Sequence, residues 1–141
     1  MRLRLLAPAV LAASLTLAAC GGGDGASSPA AAETASSVAL VGPTEFQAAA
    51  AEPGVTVIDV RTPEEFAAGH LAGAQLIDIQ APGFEEAISA LPRDGAYAVY
   101  CRSGNRSAAA TALMAELGFT DITELADGIQ AWAAAGLPIE T

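Results

Sequence analysis

The chain contains no lysine. Its six basic residues are all arginine, they stand against 16 aspartates and glutamates, and the formal charge of the 141 residues is −10. Nucleic acids and anionic membrane surfaces are bound through dense basic faces, so this balance argues against both as partners. Soft metal ligands are equally scarce. One histidine, His70, and two cysteines, Cys20 and Cys101, lie far apart in sequence, without the close spacing of a structural zinc site. No Cys-x-x-Cys occurs, so thioredoxin-type exchange lacks its resolving thiol. Long apolar runs are also absent: the longest mostly apolar stretch, Leu5 to Leu17, has 13 residues, short of the ~20 that a membrane-spanning helix needs.

That stretch follows Arg2 and Arg4 and ends in Leu17-Ala18-Ala19-Cys20, the layout of an export signal. Small residues before a cysteine at this distance resemble the bacterial lipobox. The resemblance implies a signal peptide over residues 1–19, cleavage before Cys20, lipid on Cys20, and an extracytoplasmic chain anchored to the membrane without spanning it. Cleavage removes Arg2 and Arg4, leaving four basic against 16 acidic residues and a formal charge of −12. Lipidation of Cys20 leaves Cys101 as the one free thiol, so no intramolecular disulfide forms.

Residues 20–37 are almost entirely Gly, Ala, Ser, Pro and Thr, with Asp24 and Glu33 the only charges. Such a segment buries too little apolar surface to order itself and reads as a flexible tether. The folded part, residues 38–141, has the length of one compact domain.

Within it, strand patterns alternate with short helical ones, which predicts an α/β fold: a small parallel sheet with helices on both faces. Thr44 to Ala51 reads as an opening helix, with Thr44 and Gln47 as a capping box. Val55 to Val60 is a β-branched run suited to a buried strand. Thr62 then caps a helix with Pro63 at its first position and Glu65 completing a capping box, and Gly69 ends it. Gln75 to Ile79 predicts a short strand. Phe84, Ala87, Ile88 and Leu91 predict a helix that Pro92 stops. Ala96 to Tyr100 predicts a strand, and Ala110, Leu113, Met114 and Leu117 mark a helix over Ser107 to Leu117 with Gly118 after its end. Asp121 to Leu125 reads as the last strand. A final helix carries Ile129, Trp132 and Ala133, closed by Gly136 and Pro138.

Cys101 falls between an apolar strand and a helix start, in the run Cys101-Arg102-Ser103-Gly104-Asn105-Arg106-Ser107. A loop closing on a helix N-terminus aims several N–H groups at one point, where the helix dipole adds positive charge. Arg102 and Arg106 add two cations to an otherwise acidic chain. These conditions bring a thiol from ~8.5 down to ~3.5–7.5, which makes Cys101 the candidate nucleophile and an anion its candidate substrate. The alternative, a small buried hydrophobe, fits poorly with a glycine and two arginines alongside.

Other polar residues have plainer readings. His70 lies between a helix-ending glycine and a loop and reads as a hydrogen-bonded structural histidine. Asp59 and Arg61, at a strand end, read as a buried pair supporting the loop, with substrate contact by Arg61 the alternative. Trp132 reads as core.

Three ordered motifs carry a family resemblance. Ile58-Asp59-Val60-Arg61-Thr62-Pro63-Glu64-Glu65-Phe66 with Gly69-His70-Leu71-Ala72-Gly73-Ala74, the Cys101 to Ser107 loop, and Asp127-Gly128-Ile129-Gln130-Ala131-Trp132 with Leu137-Pro138 together resemble the single-domain rhodaneses, from about Val38 to Ile139. The resemblance implies a rhodanese-like fold and a sulfurtransferase without cofactor or metal. Cys101 takes sulfur from a small anionic donor such as thiosulfate, and cyanide or a thiol accepts it. Arg102, Ser103, Gly104, Asn105, Arg106 and Ser107 are implied as substrate-binding, with Asp59 and Arg61 in support. Two alternatives stand beside it. One is a rhodanese-fold module that docks on a partner protein or receives sulfur only from one. The other is phosphatase or arsenate reductase chemistry, which in related loops places five residues between cysteine and arginine where this chain has four.

Overall fold

The computed structural model describes residues 36–141. The residues read as an export signal, Cys20 and nearly all of those read as a tether lie outside the described residues. Five strands and five helices alternate: β1 (Ser37–Val41), α1 (Pro43–Ala50), β2 (Val55–Asp59), α2 (Pro63–Ala68), β3 (Gln75–Leu76), α3 (Phe84–Ser89), β4 (Ala96–Tyr100), α4 (Asn105–Glu116), β5 (Asp121–Leu125) and α5 (Gly128–Ala134). The strands form one parallel sheet in the order β1-β5-β4-β2-β3. The expected α/β architecture is therefore present.

Alternation along the central strands divides the core between the two faces. Ile58, Tyr97, Val99 and Ile122 pack with Phe84 and Ile88 of α3 and with Ala110 and Met114 of α4. Val57, Ala98, Tyr100 and Leu125 point the other way, onto Phe46 of α1 and Ile129 and Trp132 of α5. Phe46 meets Tyr100 and Trp132 edge-on, at ring separations of 6.4 and 6.2 Å. Trp132 is core, and its indole N–H donates to the Pro138 carbonyl at 2.9 Å.

Several elements differ from the sequence expectation, each for a local reason. β1 was not anticipated. Four of its five residues are exposed, with Leu40 at 65 %, and it is held by backbone pairing to β5, a partner that local pattern does not show. Its first residue, Ser37, is the last of the segment read as tether. The opening helix is capped by Gly42, with Pro43 in its first turn and no side-chain cap, so Thr44 and Gln47 form no capping box. The strand expected over Gln75 to Ile79 keeps strand geometry only at Gln75–Leu76, after which Ile77 N–H still donates to Asp59 and Ile79 N–H to Val60. Helix α4 starts at Asn105 and not at Ser107, because Gly104 adopts φ +93° and turns the chain into the helix two residues early. The capping box of α2 is as expected: Thr62 and Glu65 bond reciprocally.

Candidate active site

The Cys101 loop sits at the carboxyl end of central strand β4, the position where open α/β sheets form their crevices. Cys101 is 1 % exposed. Its sulfur accepts from Gly104 N–H at 3.1 Å and has the Ser107 hydroxyl at 3.4 Å. Burial opposes its ionisation, but the Ser107 hydroxyl and the N–H groups of Ser107, Ser103 and Gly104 outweigh it, and the thiol lies below its ordinary value. Because α4 begins at Asn105, the N–H groups of its first turn and its dipole face the same sulfur. Asn105 and Ser103 are exposed on the rim, and Ser107 is fully buried beneath it.

The two loop arginines behave differently. Arg102 is exposed and forms no ion pair among the described residues. Arg106 is committed to Glu65 of α2, donating to its two oxygens at 2.6 and 2.8 Å. Hydrogen bonds from Arg106 hold the Glu65 carboxyl down at about 2 against the opposing effect of burial. A depressed carboxyl contributes its stability in full above the ordinary carboxylate range and loses it only as pH falls toward 2, so the pair is intact at neutral and mildly acidic pH. Glu65 therefore caps α2 and clamps α4 to it, a second role that its place in the capping box does not reveal.

Asp59 and Arg61 form the buried pair expected of them. The Asp59 carboxylate, fully buried, accepts from Arg61 Nε at 2.9 and 3.0 Å and from Nη2 at 2.6 Å, and Nη2 also donates to the Gly69 carbonyl at 2.7 Å. The guanidinium lies over the Tyr100 ring, 5.5 Å from its centre. Arg61 and Arg102 also line one open cleft of about 340 Å³, together with Gly69, Ile129 and Ile139. His70 is not in the loop. Its ring stacks on Phe66 at 3.8 Å, Nδ1 lies 3.0 Å from the Phe66 carbonyl, and its backbone pairs with Glu140.

Glu124 was not singled out by sequence. It lies on β5 beneath α4 with 5 % exposure, its oxygens 2.8 Å from Ser107 Oγ and 3.0 Å from Thr111 Oγ1. A charged residue in the middle of a buried strand, two positions from Ile122 on the same face, is the signal that marks it.

The loop is held from below by α5. Ile129 N–H donates to Cys101 O at 2.9 Å and Gln130 N–H to Arg102 O at 3.2 Å. Asp127 and Gly128 both take positive φ, +56° and +60°, to make this approach. A Cβ on Gly128 would overlap the Cys101 carbonyl oxygen and lie 2.6 Å from Arg102 C and O. Gly128→Ala is therefore expected to destabilise the protein by about 1–3 kcal/mol in denaturant unfolding, and to alter the alkylation rate of Cys101. An unchanged midpoint would show that the backbone has room to yield.

The chain is similar to known proteins. The Rhodanese-like domain model matches residues 42–135. A "Sulfurtransferase" of Allochromatium vinosum is 38% identical over 85 residues, 60% of this chain and 78% of that protein. A "Thiosulfate sulfurtransferase GlpE" of Pseudomonas fluorescens is 33% identical over 99 residues, 70% of this chain and 88% of that one. The match to "Probable adenylyltransferase/sulfurtransferase MoeZ" of Mycobacterium tuberculosis is 42% identical over 79 residues, 56% of this chain but only 20% of that longer protein. Among solved structures, a rhodanese-related protein from Thermoplasma volcanium superposes with a TM-score of 0.64 at 34% identity, covering 72% of this chain and 97% of its own. With the family model spanning most of the sheet and the loop at its centre, the chain belongs to the rhodanese-like family.

Proposed function

We propose that the protein is a sulfurtransferase that carries a sulfane sulfur on Cys101, with thiosulfate as the representative donor. The observation that carries this reading is the Cys101 sulfur itself, ringed by loop amides at the start of α4 and held below the ordinary thiol range. The names of the relatives support the same chemistry.

In the first half-reaction the Cys101 thiolate attacks the outer sulfur of thiosulfate. The new S–S bond forms as the old one breaks, and sulfite leaves with the bonding electron pair. Desolvation makes amide donors effective for the anionic persulfide that remains, and they need no reorganisation between thiolate and persulfide. Exposed Arg102 is the cation available to the departing dianion. Arg106, tied to Glu65, supplies positive potential from the side. In the second half-reaction cyanide or a thiolate attacks the terminal sulfur and releases the Cys101 thiolate, so no external reductant or cofactor enters the cycle.

The test uses the full chain carrying Cys20→Ser, so that Cys101 is its one thiol. Incubation with thiosulfate is expected to add one sulfur atom to the intact mass, and cyanide to remove it. Absence of any gain would overturn the reading and favour a module that docks on a partner protein.

We further propose that the chain is exported and anchored through lipid on Cys20, on the strength of Arg2, Arg4, the 13-residue apolar run and Leu17-Ala18-Ala19-Cys20. Mass spectrometry of the membrane fraction should find a lipid-modified N-terminal Cys20. An unmodified chain beginning at Met1 would reject it.

A further inference from the structure

Behind the reactive sulfur lies a carboxylate that the transfer steps do not use. Glu124 is buried and, among the described residues, forms no ion pair. Two hydroxyls meet it instead: Ser107 Oγ at 2.8 Å from Oε1 and Thr111 Oγ1 at 3.0 Å from Oε2. Ser107 Oγ is also 3.0 Å from the Gly104 carbonyl oxygen and 3.4 Å from Cys101 Sγ.

A hydroxyl has one hydrogen to give, and here three acceptors surround it. An ionised carboxylate only accepts, and its charge-assisted bonds are roughly twice as strong as neutral ones. The Glu124 contact is also the shortest of the three. The Glu124 carboxylate therefore competes with the sulfur for the Ser107 hydrogen, and while the hydrogen is on Glu124, Ser107 turns a lone pair toward the sulfur. A lone pair suits an S–H and opposes an S⁻.

We propose that Glu124 is a positioning residue for the sulfur chemistry: its carboxylate competes with the sulfur for the Ser107 hydrogen and, through that hydroxyl, restrains formation of the resting Cys101 thiolate. Thiolate stabilisation then falls mainly to the loop amides, and the negative charge of Glu124 offsets part of it. The consequence for transfer, which rests on the sulfurtransferase reading, is a less abundant thiolate of greater intrinsic nucleophilicity, since nucleophilicity falls as thiol acidity rises.

Few other charged groups face this pair. Arg106 on α4 senses the Cys101 charge and is tied to Glu65, while Asp59 is paired with Arg61. The strands flanking β5 place Leu40 and Val99 in register with Glu124, and α3 turns Phe84 and Ile88 to this face.

The experiment follows the rate of iodoacetamide alkylation of Cys101 against pH in the full chain carrying Cys20→Ser. No sulfur donor is involved, so this proposal and the sulfurtransferase reading fail separately. Glu124→Leu removes the acceptor: Thr111 keeps the Ala108 carbonyl at 3.2 Å, and the Ser107 hydrogen rests on the Gly104 carbonyl at 3.0 Å until the thiol ionises, when the anionic sulfur becomes its stronger acceptor. The substitution is expected to lower the midpoint and raise the rate below it by about three- to tenfold. Glu124→Gln, which keeps the shape and removes the charge, should move the profile the same way.

Ser107→Ala gives the decisive comparison. In the otherwise unaltered site it removes a donor that Glu124 holds for most of the time, and the rate should fall by less than about twofold. In the Glu124→Leu background it removes a donor, and the rate should fall by about three- to tenfold. The proposal is overturned if the Glu124 variants superpose on the parent profile. It is equally overturned if Ser107→Ala slows alkylation by the same factor in both backgrounds. Should a Glu124 variant melt at the assay temperature, a fall of about three- to tenfold for Ser107→Ala alone still rejects it.

Discussion

Cys101→Ser is expected to abolish sulfur transfer, with thiosulfate-to-cyanide turnover falling by at least about 10³-fold, while the fold is kept. Sulfur is the only atom at this position that can be both nucleophile and leaving group for a sulfane sulfur. A serine oxygen is far less nucleophilic at neutral pH and forms no persulfide. The fold should tolerate the change, because oxygen replaces sulfur at one buried atom that already accepts from Gly104 N–H. Intact mass after thiosulfate, turnover and a thermal melt test this together. Turnover at the parent level in Cys101→Ser would remove the persulfide from the mechanism. A collapsed melt would mean that the thiol holds the loop together as well as reacting.

Asp59→Ala should be the most damaging substitution for stability, costing about 3–5 kcal/mol in denaturant unfolding. Asp59 is fully buried, and Arg61, 5 % exposed, directs both Nε and Nη2 at its carboxylate. Removing the carboxylate strands a guanidinium whose remaining partners are the Gly69 carbonyl and the face of Tyr100. The double variant Asp59→Leu with Arg61→Met should recover much of the loss, because a buried pair replaced whole by apolar groups is often neutral. A loss below about 1 kcal/mol for the single change would mean that Arg61 reaches water through the neighbouring cleft, where surface pairs have that small a value. Arg61 would then be available to an anion.

The candidate site was legible because its parts are local. Cys101, Gly104 and the first turn of α4 are contiguous, so the thiol, its amide donors and the helix that orients them can be read from seven residues in a row. The capping box at Thr62 and Glu65 was legible for the same reason. β1 escaped because its hydrogen bonds are to β5, at the far end of the chain, and its own residues are largely exposed. The early start of α4 escaped because it depends on one dihedral angle, the left-handed φ of Gly104, which the helical spacing of the apolar residues does not reveal. Glu65 and Arg106 each had a sensible reading alone, cap and anion receptor, and only their meeting across 41 positions joins them.

Sequence by itself determined the alternating α/β plan, the faces of the helices, the candidate nucleophile and the acidic surroundings from which its arginines stand out. Those follow from periodicity, propensity and charge, which act over a few residues. Tertiary structure alone decided where each charge is spent. It placed Arg106 on Glu65, seated the loop carbonyls on α5 through Gly128, and put Glu124 behind Ser107. Coulomb and hydrogen-bond forces act over a few ångströms in space, and the sheet order β1-β5-β4-β2-β3 is what makes residues distant in the chain neighbours at that range.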